Sequence, residues 1–255
     1  MTRPLSLGKV RGLQEIANDH GLFTITALDH RGSLRRALQP DEPKSVSYDR
    51  MMSYKLKLLK HLGPHSSAVL IDPIYGAAGA LSKGAISGHQ GFLVSLEATG
   101  YDDQEGDRLT SAADGWGVEK IKRMGASAVK ILLYYNPGSS TAGDQEEFLR
   151  RSADACQKHD IPLLVEPMTY NIVGGPKKGT AEFAKRKPEM VIETARRLCP
   201  LGMDVLKAEF PDDPDHEQDE SAMAEHCRQL TEAAGIPWVL LSAGVGYDKF
   251  KVQTR

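Results

Sequence analysis

ALDHRGSLRRAL, residues 27–38, joins the end of an apolar run to a helix-like segment, and this junction decides between two parallel-sheet folds. A doubly wound dinucleotide fold carries Gly-x-Gly-x-x-Gly at its first strand-to-helix turn, so that the backbone can approach a pyrophosphate. Here the turn carries Asp29, His30 and Arg31 instead, with the single glycine Gly32. Chemically able side chains at the C-terminal end of a strand are what a (β/α) barrel gathers into its active site.

Working outward, the same junction recurs. Candidate strands cover residues 23–28, 68–71, 92–96, 128–133, 162–165, 205–208 and 238–241. Each is short, rich in Val, Ile and Leu, and followed by a turn cluster and a helix-like segment, the signature of a parallel sheet with crossover helices. Asp29, Asp72, Glu97, Glu166 and Ser242 directly follow an apolar run, and Lys130 and Lys207 sit inside one. Asp144 and Glu147 read as a capping box opening a helix through about His159, Gly235 closes a helix that starts near Ser221, and Pro188 suits the first turn of another. No composition break divides the chain, so residues 1–255 read as one α/β domain, a (β/α)8 TIM barrel. Seven strands can be counted and KFKVQTR, residues 249–255, stops as a helix begins. The eighth strand is therefore expected in a further C-terminal segment on the order of 30 residues long.

Composition narrows the function classes. The 255 residues are 40% hydrophobic and 26% charged, with a formal net charge of −2. That balance gives no global pull toward nucleic acid or an anionic membrane, so an anionic substrate needs a local cluster of positive groups. No run approaches the ~20 apolar residues of a membrane span, and the first residues lack a signal-peptide core. Cys156, Cys199 and Cys227 are widely spaced and read as reduced thiols, which points to a soluble cytoplasmic protein. The eight histidines show no metal-ligand spacing, and HEQDESAMAEH, residues 216–226, reads as solvated surface. Neither a metal nor another cofactor is expected.

The chemistry is expected at the strand ends. A lysine within an apolar strand, as in DVLKAEFP (204–211) or SAVKILLYY (127–135), can lie in a confined pocket where desolvation and a neighbouring cation free its amine to attack a carbonyl. In a barrel, Lys207 and Lys130 converge on one mouth and each lowers the other's pKa. Glu166, in PLLVEPMTY (162–170), ends the intervening strand and can move protons or pair with either lysine. Asp29 serves proton transfer or caps a helix; His30 and Arg31 beside it can bind an anion. LLSAGVG (240–246) supplies Ser242 and Gly244 to the turn after the seventh strand, where barrels commonly cradle phosphate. The basic run KKGTAEFAKRK (177–187) is solvated or forms a lid over an anionic substrate.

In this order, ALDHRGSL, AVKILLYY, LLVEPMTY, DVLKAEFP and WVLLSAGV resemble the class I tagatose-1,6-bisphosphate aldolase family, which is grouped with the sulfofructose-phosphate aldolases. The resemblance implies a carbon–carbon lyase that cleaves a ketohexose phosphate or bisphosphate to dihydroxyacetone phosphate and a three-carbon aldehyde. It implies that Lys207 is the Schiff-base lysine, Lys130 the second active-site lysine, Glu166 the acid/base carboxylate and Asp29 the first-strand aspartate, with Ser242 in the phosphate-binding turn. His30 stands where the family commonly has Gln, and the family's last strand, with its Gly-Arg phosphate contact, is not in the sequence. The implied partner is a small sugar phosphate, and an exposed helix face leaves room for a homo-oligomer. A sulfofructose-1-phosphate aldolase, another Schiff-base sugar lyase, or a non-catalytic sugar-phosphate-binding barrel are the alternatives.

Overall fold

The computed structural model, which describes residues 4–99, 109–170, 172 and 174–255, alternates strands and helices along its length. In chain order the elements are α1 (Leu7–Ile16), β1 (Ile25–Leu28), α2 (Gly32–Leu38), α3 (Tyr48–Leu62), β2 (Ala68–Ile71), α4 (Ala77–Ser82), β3 (Gly91–Ser95) and α5 (Val118–Arg123). They continue with β4 (Ala128–Tyr135), α6 (Ala142–Lys158), β5 (Leu163–Thr169), α7 (Ala181–Leu198), β6 (Val205–Glu209), α8 (Glu220–Ala234), β7 (Trp238–Leu241) and α9 (Tyr247–Gln253). The strands form one parallel sheet in the order β1 to β7, a curled half-barrel with the two end strands unpaired on one side. The expected eighth strand lies nowhere among the described residues.

The burial of the strands follows from that order. β2, β3 and β6 are buried along their whole length, while β1 and β7 each bury only their last residue fully. A strand covered on both faces has no solvated side, which is why the central strands read as unbroken apolar runs. Their outward side chains, such as Val69, Val94, Val129, Ile131, Val165 and Leu206, pack with helical residues including Leu59, Leu149, Ala195 and Leu198. Burying each such side chain is worth roughly 1.5–3 kcal/mol. The inward side chains Ala68, Leu70, Leu93, Ala128, Leu164 and Val205 form a second, smaller core with Ile16 of α1. Because side chains alternate along a strand, Lys130, Glu166 and Lys207 point the same way as Ala128, Leu164 and Val205, one step nearer the C-terminal ends.

Helix α1 lies against the N-terminal ends of the strands. Its approach is so close that a Cβ on Gly12 would sit 2.3 Å from the Ser127 carbonyl oxygen, and one on Gly91 would sit 2.1 Å from that of Glu15. The Lys9 ammonium donates to both oxygens of Asp204 at 3.1 and 2.8 Å, and Asp204 Oδ2 accepts the Leu163 N–H at 2.8 Å. One end of the half-barrel is thereby filled with packed side chains and tied across three elements. The ionisable groups collect at the other.

Several local expectations need correction. The helix expected to open at Asp144 begins at Ala142, with Thr141 as N-cap, because Ser139 Oγ accepts the Thr141 N–H at 3.1 Å and fixes the turn earlier. Pro188 is not in a first turn. It lies inside α7, whose start is set by Thr180 Oγ1 accepting the Phe183 N–H and whose apolar stripe of Phe183, Val191, Ile192, Ala195 and Leu198 outweighs the missing N–H. β5 runs on to Thr169 through its pairing with β4, so Glu166 sits within the strand. Gly235 ends α8 in the left-handed conformation, φ 59°, as expected of a helix-closing glycine. Cys156 and Cys199 are buried free thiols, pushed up to about 12 by burial. Among the described residues, no helix is long and apolar enough to cross a membrane.

Candidate active site

Five strand ends deliver one ionic cluster. Lys130 Nζ, from β4, lies 2.7 Å from Asp29 Oδ2 just past β1, 3.0 Å from Glu97 Oε1 just past β3, and 3.0 Å from Glu166 Oε2 on β5. The same Glu166 Oε2 lies 2.9 Å from Lys207 Nζ on β6, so one carboxylate oxygen bridges the two lysines. Lys130 is 1% exposed and Lys207 8%, so Lys207 is the less enclosed of the two amines. Arg31 is buried at the start of α2; its Nη2 donates to the Glu97 carbonyl oxygen at 2.6 Å and lies 3.8 Å from Glu97 Oε1. Its Nε and Nη1 have no partner.

Such crowding shifts the protonation of its members. Burial works to raise the Asp29 carboxyl, but the charges of Lys130 and Lys207 outweigh it and hold Asp29 well below the usual carboxylate range. Burial alone would lower the Lys130 ammonium, yet Asp29, Glu166 and Glu97 together raise it well above an ordinary lysine. The expectation that each lysine depresses the other is therefore corrected for Lys130: three carboxylates at contact distance outweigh one neighbouring cation. Burial pushes the Glu97 carboxyl up, with the Asp29 charge adding to it against Lys130 and Arg31.

The remaining expected site residues lie apart from the cluster. His30 is exposed beside Asp29, and Ser242 and Gly244 are exposed on the turn after β7. That turn holds Ala243 and Gly244 at φ 51° and 71°, closed by the Val245 N–H donating to the Ser242 carbonyl oxygen at 3.1 Å. Asp72, another strand-end acid, is committed elsewhere: Lys55 Nζ meets its Oδ2 at 2.5 Å and the Leu28 carbonyl oxygen at 2.5 Å, while Oδ1 accepts the N–H groups of Ile74 and Tyr75. The basic run after β5 is partly tied down, with Lys178 Nζ 2.6 Å from Glu209 Oε1 and Lys187 Nζ donating to the Asp212 carbonyl oxygen at 2.8 Å.

Two participants escaped the sequence reading. Glu97 was visible as an acid ending FLVSLE, but nothing in the sequence ranked it above Asp72. Lys55 is one of three lysines between residues 55 and 60 of α3, and only the fold reveals that its ammonium holds the backbone one residue before Asp29.

The chain is similar to known proteins over most of its length. The chain is 32% identical over 258 residues to tagatose 1,6-diphosphate aldolase 2 of Streptococcus agalactiae serotype III, covering 95% of this chain and 77% of that protein. It is also 32% identical to tagatose 1,6-diphosphate aldolase of Listeria monocytogenes, covering 96% and 75%. Among solved structures, a Schiff-base-forming fructose-1,6-bisphosphate aldolase superposes with a TM-score of 0.63 at 23% identity, covering 95% of this chain and 84% of that one. An archaeal fructose-1,6-bisphosphate aldolase superposes at 0.59 with 21% identity over 94% and 84%. These two likenesses bear on the fold. Residues 23–254 match the DeoC/LacD family aldolase model, and with the identity to the tagatose-diphosphate aldolases this establishes that the chain belongs to the DeoC/LacD aldolase family.

Proposed function

We propose that the protein is a class I aldolase that cleaves a ketohexose bisphosphate of the tagatose 1,6-bisphosphate kind, with Lys207 as the nucleophile. The observation that carries this reading is Glu166 Oε2 placed 2.9 Å from Lys207 Nζ and 3.0 Å from Lys130 Nζ at the open ends of the strands. An amine that must lose, regain and lose protons during imine formation needs an acid/base group in contact, and Glu166 is in contact. Lys130, fixed by three carboxylates, is held as a cation and supplies positive charge rather than nucleophilicity.

The steps follow from those positions. The neutral Lys207 amine adds to the substrate ketone, and Glu166 carries the protons by which the carbinolamine loses water to become a protonated imine. Glu166 then removes the proton of the C4 hydroxyl; the C3–C4 bond breaks, its electron pair passes to the iminium, and the aldehyde leaves. Reprotonation at C3 and hydrolysis of the imine release dihydroxyacetone phosphate and restore the amine. The positive charge of the imine supplies the electron sink throughout. Asp29 assists by fixing Lys130. The two partnerless N–H groups of Arg31 favour an anion near the first strand, and the Ser242–Gly244 turn offers a second place for phosphate on the opposite rim. The relatives named for tagatose 1,6-diphosphate support a substrate with a phosphate at each end.

Borohydride added with dihydroxyacetone phosphate is expected to inactivate the protein and to add mass to the peptide containing Lys207. Labelling confined to another lysine, or activity abolished by EDTA, would overturn the reading. A panel of ketohexose bisphosphates and sulfofructose 1-phosphate then fixes the substrate.

A further inference from the structure

Three carboxylates and three cations meet in the mouth: Asp29, Glu97 and Glu166 with Lys130, Lys207 and Arg31. Attack on a carbonyl requires Lys207 without its extra proton. If that proton left for solvent, three carboxylates would face two cations in a largely buried site, and an uncompensated buried charge is costly. The proton is better kept among the carboxylates.

The geometry distinguishes them. Asp29 makes the shortest contact with Lys130, 2.7 Å, and is held ionised by it. Glu166 touches both lysines through one oxygen and must stay free to serve the substrate. Glu97 touches Lys130 with Oε1 at 3.0 Å and reaches Arg31 only at 3.8 Å. Its Oε2 is buried and has no partner at all. A bare, buried oxygen suits a carboxylic acid better than a carboxylate, because the neutral acid carries no charge to be solvated.

We propose that Glu97 stores the proton that Lys207 gives up, and so keeps the mouth electrically neutral while the amine acts as nucleophile. The exchange balances: Lys207 ammonium and Glu97 carboxylate become Lys207 amine and Glu97 carboxylic acid, with only N–H and O–H bonds made and broken. Lys130 Nζ gives a proton to Glu97 Oε1 over 3.0 Å, and the amine this leaves is reprotonated by the proton that passes from Lys207 Nζ to Glu166 Oε2 over 2.9 Å and on to Lys130 Nζ over 3.0 Å. Lys130 is a cation before and after, in keeping with the three carboxylates around it. Rotation of the Glu97 carboxyl then moves the O–H to the partnerless position and lets the other oxygen accept from Lys130 again. The groups facing Glu97 are Lys130 from β4 and Asp29 and Arg31 from the first strand's end; burial and Asp29 push its carboxyl toward the protonated form.

The proposal rests on Lys207 being the nucleophile, and two measurements separate the two ideas. Infrared difference spectra of wild type against Glu97→Gln at neutral pH should show the C=O stretch of a protonated carboxylic acid in the wild type alone. Wild type that is trapped at Lys207 by borohydride yet lacks this band overturns the proposal and leaves the nucleophile standing; wild type not trapped at Lys207 overturns both. In Glu97→Gln, trapping and turnover should fall about 100-fold at neutral pH. The deficit should shrink as pH rises, because solvent can then take the Lys207 proton, and Glu97→Asp should recover part of it. A deficit equal at every pH, in Gln and Asp alike, marks a merely structural carboxylate and overturns the proposal.

Discussion

The two lysines of the mouth occupy matching positions on neighbouring parts of one sheet, yet their surroundings differ in kind. Lys130 on β4 is enclosed and meets three carboxylates, while Lys207 on β6 keeps one carboxylate partner and a path to the open end. The same residue type is thereby enclosed by three carboxylates in one place and left with one, nearer the open end, in the other. On the proposed reading, partner count and access, more than the lysine itself, assign the roles.

Removing each lysine in turn tests that contrast hardest. Lys207→Met should lower turnover on the order of 10⁴-fold or more, because no other amine can replace the covalent step. It should abolish borohydride trapping and leave chemical unfolding close to wild type, since Glu166 and Asp29, the carboxylates that feel its charge, both keep Lys130 as a partner. Lys130→Met should do the converse in stability. Three buried carboxylates would lose their shared counter-ion, at a cost of about 3–5 kcal/mol in urea unfolding. Equal stability losses in the two variants would erase the distinction drawn between them.

How far the contrast could be read in advance depends on the element. The central strands were legible because burial on both faces leaves only apolar residues, against which Lys130, Glu166 and Lys207 stand out. Alternation along the strand then puts them on the side of Ala128, Leu164 and Val205. The end of β5 was misjudged because Glu166 looks like a terminator, whereas ladder pairing with the long β4 carries the strand to Thr169. Partner choice was not legible at all. Asp72 and Glu97 occupy equivalent strand ends, and which of them joins the mouth is decided by Lys55 reaching across from α3 to hold Asp72. Contacts separated by tens of residues leave no local mark. Pro188 and the misplaced capping box show the same limit, with local signals overruled by a long apolar stripe and by a hydroxyl-braced turn.

A smaller effect is expected in the pH dependence of stability, where two carboxylates around Lys130 act with opposite sign. Asp29 is held below its unfolded value, so its stabilisation is present above about pH 4 and is lost as pH falls through its folded value. Glu97 is raised, so the native state binds the proton more tightly than the unfolded chain. Its ionisation therefore reduces stability as pH rises from about 4 through the folded value. Acidifying from neutrality should first relieve Glu97 and only then release Asp29. Unfolding free energies measured in steps from pH 7 to 3 should show this in wild type, while Glu97→Gln should lose the first limb and Asp29→Asn the second. A Glu97→Gln profile that matches wild type would mean that Glu97 is ordinary in the folded protein.

The least effect belongs to the rim beyond the contrast. Ser242 is exposed on a turn whose left-handed Ala243 and Gly244 hold the backbone in place without help from the serine side chain. If this turn receives a substrate phosphate, Ser242→Ala removes one hydrogen bond made alike to substrate and transition state. KM should then rise about 3- to 10-fold with kcat nearly unchanged, since a solvent-accessible hydrogen bond of this kind is worth roughly 0.5–1.5 kcal/mol. A change in kcat with KM constant would place Ser242 in the chemistry and would extend the working mouth from Lys207 across to β7. No change in either would move the second phosphate away from this edge of the sheet and leave Arg31, at the other edge, as the anion-binding group to test next.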